Sequence, residues 1–305
     1  MILNASGCLD ALTAPDVARE LDAFVTKTVT PLPREGNAPV RIAEADVGML
    51  NSIGLANPGI DRFLAEVLPR LVELGPPVWV SVGGFAPGDY ADLCARLDAT
   101  AAAAIELNLS CPNVAAPGGE GADIVAAARA STAKPLYAKL SPALPEVAAV
   151  ALRAAEAGAD GLSLVNTIRG LALDPDALAP RLSTVTGGLS GPALRPIALA
   201  AVHACYRETG LPIVGMGGVA TGRHALELIA VGASDVALGT VLFADPGAPA
   251  RVRRELADEA ARRGFDDPSS ARGAAHEPKG RSTSDAVGAP DNAARERSLP
   301  VRLKV

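Results

Sequence analysis

Short apolar, β-rich runs alternate with longer Ala/Leu/Glu/Arg segments of helical period along most of this chain. No other feature narrows the fold as far. A helix following nearly every strand makes βα units, and βα units make a parallel sheet. The strand-like runs are Ile2–Ala5, Ala23–Val29, Val78–Val82, Ala104–Leu109, Leu136–Leu140, Gly161–Val165, Ile213–Met216 and Asp235–Leu238. The helical segments are Ala14–Asp22, Asp61–Leu74, Gly88–Leu97, Asp123–Ala130, Pro145–Ala157, Pro192–Thr209, Gly222–Val231 and Pro249–Arg263. Thr13 reads as an N-cap. Pro145 and Gly158 read as a helix start and a C-cap. Eight strands and eight helices within residues 1–265 match one closed (βα)8 barrel, the TIM barrel, in a single α/β domain. A doubly wound open sheet would want a Gly-x-Gly-x-x-Gly turn after the first strand, and the residues there hold none.

Composition supports one barrel and a tail. Apolar residues make up 49% of the 305 residues but aromatics only 3%, so the core is expected to be Ala, Val, Leu and Ile. After Phe265 no aromatic residue occurs, and 266–305 is rich in Ser, Pro, Gly, Asp and Arg. Such a stretch is expected to be a flexible, disordered low-complexity tail, because it cannot bury enough apolar surface to offset chain entropy. The other reading is a partner-binding tail ending in Leu299–Val305. A net charge of −6 leaves no electrostatic footprint for nucleic acid or an anionic membrane. No apolar run approaches the roughly 20 residues of a spanning helix, and the N-terminus shows no signal pattern. Cys8, Cys94, Cys111 and Cys205 lie far apart with no Cys-x-x-Cys, which excludes a ferredoxin segment or zinc ribbon in this chain. A reduced, cytoplasmic protein is expected. His203, His224 and His276 are scattered in sequence, and the acidic residues lack ligand spacing, so no metal is expected.

In a (βα)8 barrel, chemistry sits where strands end and βα-loops begin. Gly217, Gly218, Gly239 and Thr240 follow the last two strand-like runs, and Gly188–Gly191 could close a third side. Bare backbone N–H groups at these strand ends are a phosphate grip, although each glycine alone also serves a tight turn. Lys27 and Lys139 end two other apolar runs. A lysine in a barrel mouth is costly unless it meets an anion or does chemistry, either as a Schiff base or beside an electron-rich flavin. The bland alternative is a solvated strand end.

The segment Glu106-Leu-Asn108-Leu-Ser-Cys111-Pro-Asn113 is the most specific. Alternation puts Glu106, Asn108 and Ser110 on one strand face. Asn108 and Asn113 are neutral amides suited to the imide edge of a ring. Cys111 on the exit loop can act as a base if its pKa falls towards neutrality. Cys8, Cys94 and Cys205 read instead as small apolar residues. The long loop from Pro31 leads to Asn51-Ser-Ile-Gly-Leu55, and loops of that length are often functional.

Asn108-Leu-Ser-Cys-Pro-Asn113 resembles the active-site motif of class 1 dihydroorotate dehydrogenases. So do Thr26-Lys-Thr28, Pro33-Arg-Glu-Gly-Asn37, Gly48-Met-Leu-Asn-Ser-Ile-Gly-Leu55 and Gly188-Leu-Ser-Gly-Pro192, in order across residues 3–265. The resemblance implies a (βα)8 barrel with FMN at its C-terminal face, oxidising dihydroorotate to orotate in pyrimidine (UMP) synthesis. It implies Cys111 as the catalytic base on carbon 5. It implies Lys27, Asn51, Ser52, Ile53, Gly54, Leu55, Asn108, Asn113, Asn166 and Thr167 at the substrate. It implies Ser6, Lys27, Thr28, Asn108, Lys139, Val165, Gly191, Gly217, Gly218, Gly239 and Thr240 at FMN. Cysteine in the base position points to the soluble class. The loops favour the NAD-linked subgroup, whose partner subunit carries FAD and a 2Fe–2S cluster, over direct fumarate reduction. A homodimer or heterotetramer would follow. Rival readings are an FMN barrel acting on another dihydropyrimidine and an inactive flavin-binding barrel. Two departures stand out. A family hairpin before the first strand has no counterpart, so the barrel floor is expected to be unplugged. Ser81 stands where the family often has an asparagine at FMN.

Overall fold

The structure, a computed structural model, describes residues 1–109, 120–144 and 146–276. Its strands are β1 (Ile2–Asn4), β2 (Phe24–Val25), β3 (Ile42–Ala45), β4 (Gly48–Asn51), β5 (Val78–Val82), β6 (Ala104–Asn108), β7 (Leu136–Leu140), β8 (Gly161–Leu164), β9 (Ile168–Gly170), β10 (Gly187–Ser190), β11 (Ile213–Met216) and β12 (Asp235–Leu238). Eight of them form one parallel sheet in the order β1-β12-β11-β8-β7-β6-β5-β2. A parallel bridge between Leu3 and Ala23 closes that sheet into the expected barrel. At this seam a side chain does part of the ladder's work. The buried Asn4 amide donates to Val25 O (2.7 Å) and accepts from Val25 N (2.8 Å).

Alternation divides each barrel strand between two cores. Outward residues such as Val80, Ile105, Leu107 and Leu162 pack under the helices. Inward residues Leu3, Ala23, Val25, Trp79, Ala104, Val214, Met216 and Ala237 form a separate inner cluster. That interior departs from the aliphatic filling expected. Alanines leave room for Trp79, whose ring centroid lies 4.5 Å from that of Tyr137. Both aromatics sit near the N-terminal ends of their strands, so the floor is filled from inside rather than left open. Above them the inward positions turn polar, with Ser81, Glu106, Lys139 and Ser163 all buried.

The helices fall where periodicity places them, with instructive differences. Thr13 does not cap the first helix, which runs Pro15–Arg19 behind Ala14. The Thr13 hydroxyl donates to Asp10 O instead. The expected Asp61–Leu74 helix is Ile60–Arg62, a π-turn at Phe63–Val67, and Leu68–Val72. Pro69 has no N–H, and its ring crowds the carbonyl four residues back, so the helical ladder widens there. Pro145 lies outside the described residues, and the helix behind it runs Val147–Glu156.

Two features extend beyond the expected plan. Strands β3, β4, β10 and β9 form a small antiparallel sheet over the barrel mouth. It pairs Asn51 with Gly188 and has its own core of Ala43, Leu50 and Leu182. The packed chain also continues past Phe265, where the tail was expected to begin. Pro268–Ala271 is a 3-10 turn with Ala271 fully buried. Arg272 lies over the Tyr206 ring, and His276 stacks on His203 at 4.0 Å between centroids. Backbone bonds from Gly273 and Ala275 to Ile229 and Ala230 explain how an aromatic-free stretch stays docked. The remainder of the expected tail, 277–305, lies outside the described residues. Among the described residues no helix is long and apolar enough to cross a membrane.

Candidate active site

A cavity of about 480 Å³ opens at the C-terminal ends of the barrel strands. That is the size of a cofactor or small-molecule site, roughly 300–1,000 Å³. The small sheet forms one wall through Ile42, Met49, Asn51 and Ser190, and the ends of β11 and β12 form another. Of the residues singled out for substrate, Lys27, Asn51, Ile53, Asn108, Asn166 and Thr167 line the cavity. Ser6, Thr28, Lys139, Val165, Gly191, Gly217, Gly218, Gly239 and Thr240 line it too. Ser52, Gly54 and Leu55 are not among the lining residues. The Ser52 hydroxyl is turned aside to Asn37 and Thr184. Gly54 and Leu55 shape the rim, both with left-handed φ, +73° and +58°. Cys111 and Asn113 lie outside the described residues.

One polar chain runs across the mouth. Ser81 and Thr28 share a hydroxyl contact of 3.1 Å, and the Asn108 amide donates to Thr28 at 3.2 Å. The Asn166 amide donates to Asn108 Oδ1 at 3.4 Å, and Asn166 Oδ1 accepts from Thr167 N at 2.8 Å. Tyr90, buried on the helix Pro87–Asp98, donates to the Asn108 carbonyl at 2.9 Å. Each amide is thereby fixed in orientation before any ligand arrives. Ser81 is fully buried and serves this network rather than the cavity wall.

The two lysines stand at the centre. Lys139 is buried and donates to Ser6 Oγ at 2.6 Å, with Glu106 Oε1 at 3.4 Å. Lys27 fits because Gly7 has no side chain. A Cβ there would sit 2.8 Å from Lys27 Cδ, and φ at Gly7 is +76°. Burial, and then the neighbouring Lys139 charge, hold the Lys27 ammonium below the ordinary lysine range. At the opposite wall Gly217 and Gly218 adopt φ of +123° and +69°. A Cβ on Gly218 would meet the Gly191 carbonyl at 2.8 Å. Only peptide groups fit at this corner, and the Thr240 hydroxyl donates to Ser190 Oγ beside it (2.8 Å). The cavity thus offers oriented amides, two ammonium groups and a backbone-lined corner. Such a set can hydrogen-bond a polar ring and compensate a negative charge.

A family model for dihydroorotate dehydrogenase matches residues 1–259. The chain belongs to the dihydroorotate dehydrogenase family. It is 45% identical over 264 residues to the "Dihydroorotate dehydrogenase B (NAD(+)), catalytic subunit" of Desulforudis audaxviator, covering 84% of this chain and 86% of that one. The protein of the same name from Latilactobacillus sakei subsp. sakei is 43% identical over 276 residues, covering 86% and 89%. Among solved structures, DHODH in complex with ferulenol from Eimeria tenella superposes with a TM-score of 0.73 at 25% identity, covering 91% of this chain and 85% of that one.

Dihydroorotate dehydrogenases are flavin-dependent, and the residues present here fit a flavin. The Gly217–Gly218 corner admits a group where any side chain would collide, and Lys139 offers a cation to an electron-rich ring. Sequence reasoning missed several wall residues of this dehydrogenase fold. Cys8 was read as a small apolar residue but lines the cavity, only half-buried, beside Gly239. Desolvation at this wall raises its thiol above the ordinary range, against the lowering influence of Lys139 and Lys27. Ile42, Met49 and Phe243 also line the wall. Nothing in a single apolar side chain marks that role. Cys94 and Cys205 are fully buried in helices, with thiols pushed up to about 12 by burial, as structural cysteines are.

Proposed function

We propose that this chain is the FMN-binding catalytic subunit of an NAD-linked dihydroorotate dehydrogenase. Its reaction is the oxidation of dihydroorotate to orotate in pyrimidine biosynthesis. The observation that carries the reading is the cavity itself. Lys27, Asn51, Asn108, Asn166 and Thr167 meet Lys139 and the Gly217–Gly218 corner in one space, in a chain of this family.

The roles are those that the family resemblance implies, and the chemistry agrees with them. An imide ring with a carboxylate needs amide partners and one cation. Asn51, Asn108, Asn166, Thr167 and Asn113 supply the amides and a hydroxyl, and Lys27 supplies the cation. Cys111 removes the proton from carbon 5, while the hydride leaves carbon 6, which together create the orotate double bond. FMN, when bound, supplies the hydride acceptor. Ser6, Thr28, Val165 and Lys139 would hold its ring. Gly191, Gly217, Gly218, Gly239 and Thr240 would hold its phosphate. The backbone from Ser52 to Leu55 shapes the substrate's rim. Orientation by pre-bonded amides lowers the entropy cost of bringing donor and acceptor together.

The relatives' shared name supports NAD as final acceptor. No Cys-x-x-Cys occurs in the chain, so a 2Fe–2S cluster on the route to NAD belongs to a partner subunit, with FAD. We read the assembly as a homodimer or heterotetramer in the cytoplasm, with residues 1–265 as its barrel, a segment docked on it to His276, and the rest as a tail. Orotate titration tests the substrate. Orotate should perturb the spectrum of the FMN-loaded chain and inhibit it, while uracil, which lacks the carboxylate, should do neither. Equal effects from both would favour another dihydropyrimidine.

A further inference from the structure

The catalytic reading uses both lysines but leaves unexplained the carboxylate beneath them. Glu106 is on β6 and only 1% exposed, in the barrel's interior. The register places Asn108 level with Lys139, and Glu106 two residues lower, level with Tyr137. Its carboxylate therefore approaches Lys139 from the floor side, at 3.4 Å, while the Ser6 hydroxyl holds the same ammonium at 2.6 Å. Both side chains of the pair are almost without solvent, at 5% and 2% exposure. An ammonium so placed keeps its charge only if something anionic compensates it. A carboxylate with no cation here would be equally unfavourable.

We propose that Glu106 is a positioning residue of the active site, the counter-ion that keeps Lys139 charged and aimed at the cavity. The inference rests on the flavin reading only for what Lys139 then does. The pairing itself is a property of the chain. Among the described residues, two further groups share the field. Lys27 and Cys8 both line the cavity with Lys139 and feel its charge, and the Glu106 charge favours the protonated form of each. Glu106 thus partly offsets the mutual repulsion of two ammonium groups that must sit in one mouth. A carboxylate kept only to fill space could be replaced by an amide of the same shape with no consequence for Lys139.

Glu106→Gln makes that replacement. The chain has five lysines, so carbon-13 labelling at lysine Cε gives a readable spectrum, with Lys27→Met and Lys139→Met variants assigning the two signals. The titration is done on the full chain without flavin. In Glu106→Gln the Lys139 ammonium should lose its proton about one to three pH units earlier than in the unaltered chain, with a smaller shift of the same sign at Lys27. Glu106→Asp keeps the charge but withdraws it by one methylene. It should give a smaller shift, and it serves the same test where the amide variant does not fold. Coincident Lys139 titrations in all three proteins would overturn the proposal. A second arm uses FMN-loaded protein and sulfite, which binds flavins favoured by a nearby cation. Sulfite affinity should fall about tenfold in Glu106→Gln at a pH where Lys139 has become neutral. A shifted Lys139 with unchanged sulfite affinity would uphold the pairing and contradict the placement of Lys139 at the flavin.

Discussion

Lys27 carries its charge at a cost, because burial and the Lys139 charge both favour its neutral form. The sign is fixed by the direction of the shift. A lysine whose pKa is lowered on folding weakens the fold while charged, and that penalty is relieved as pH rises through the lowered pKa towards the ordinary value of about 10.4. Substrate binding runs the other way. KM for dihydroorotate should climb as pH rises through the lowered Lys27 pKa, while Lys27→Met should have a high, pH-independent KM. Steady-state profiles of both proteins check this, and a flat profile for the unaltered chain would remove Lys27 from the carboxylate. Cys111→Ser should slow oxidation by about a hundredfold or more, most severely near neutral pH, since a serine hydroxyl is a far weaker base. Rates unchanged across pH would refute the role. These residues were legible because a lysine or asparagine closing an apolar run is conspicuous. Cys8 was not, because a small side chain reads alike whether it faces a cavity or a core. Glu106 was assigned to a strand face from alternation, but its partner on the neighbouring strand depends on register, which no single strand specifies.

At the scale of elements, the barrel strands announced themselves because each is an apolar run bounded by turns. Strands β5, β7, β11 and β12 match their expected bounds residue for residue. The small antiparallel sheet was hidden. Its strands have at most four residues, come from distant segments and include the glycine-rich Gly187–Ser190. Only pairing across the mouth makes them strands. The π-turn was hidden for the opposite reason, as the apolar face of Asp61–Leu74 persists through it and only Pro69 disturbs the ladder. The barrel seam at Asn4 gives a prediction for an element. Asn4→Leu keeps the branching and the number of heavy atoms but orphans the buried N–H and C=O of Val25, so it should cost about 2–4 kcal/mol in denaturant unfolding. A change within experimental error would mean the seam is held elsewhere. At the other end, Gly218→Ala adds about 1–2 kcal/mol of left-handed strain and drives a methyl into the Gly191 carbonyl. FMN affinity, read by fluorescence on release, should fall about tenfold or more.

For the whole molecule, the composition expected to leave a purely aliphatic barrel instead places its single tryptophan inside, against Tyr137. The boundary at Phe265 was drawn from missing aromatics, but small residues and backbone bonds continue the packing to His276. Electron transfer is also a whole-molecule matter. The isolated chain should reduce an artificial acceptor with dihydroorotate yet leave NAD unreduced until an FAD and 2Fe–2S subunit is added. Rapid fumarate reduction by the isolated chain would reverse the assignment of acceptor. The central claim is that one cavity binds FMN and dihydroorotate together and passes a hydride between them. Its most direct measurement is the visible spectrum of the purified chain without oxygen, before and after adding dihydroorotate. The account predicts a yellow protein whose flavin absorbance bleaches on addition. A protein that stays colourless with added FMN, or a flavin that dihydroorotate leaves oxidised, would contradict it.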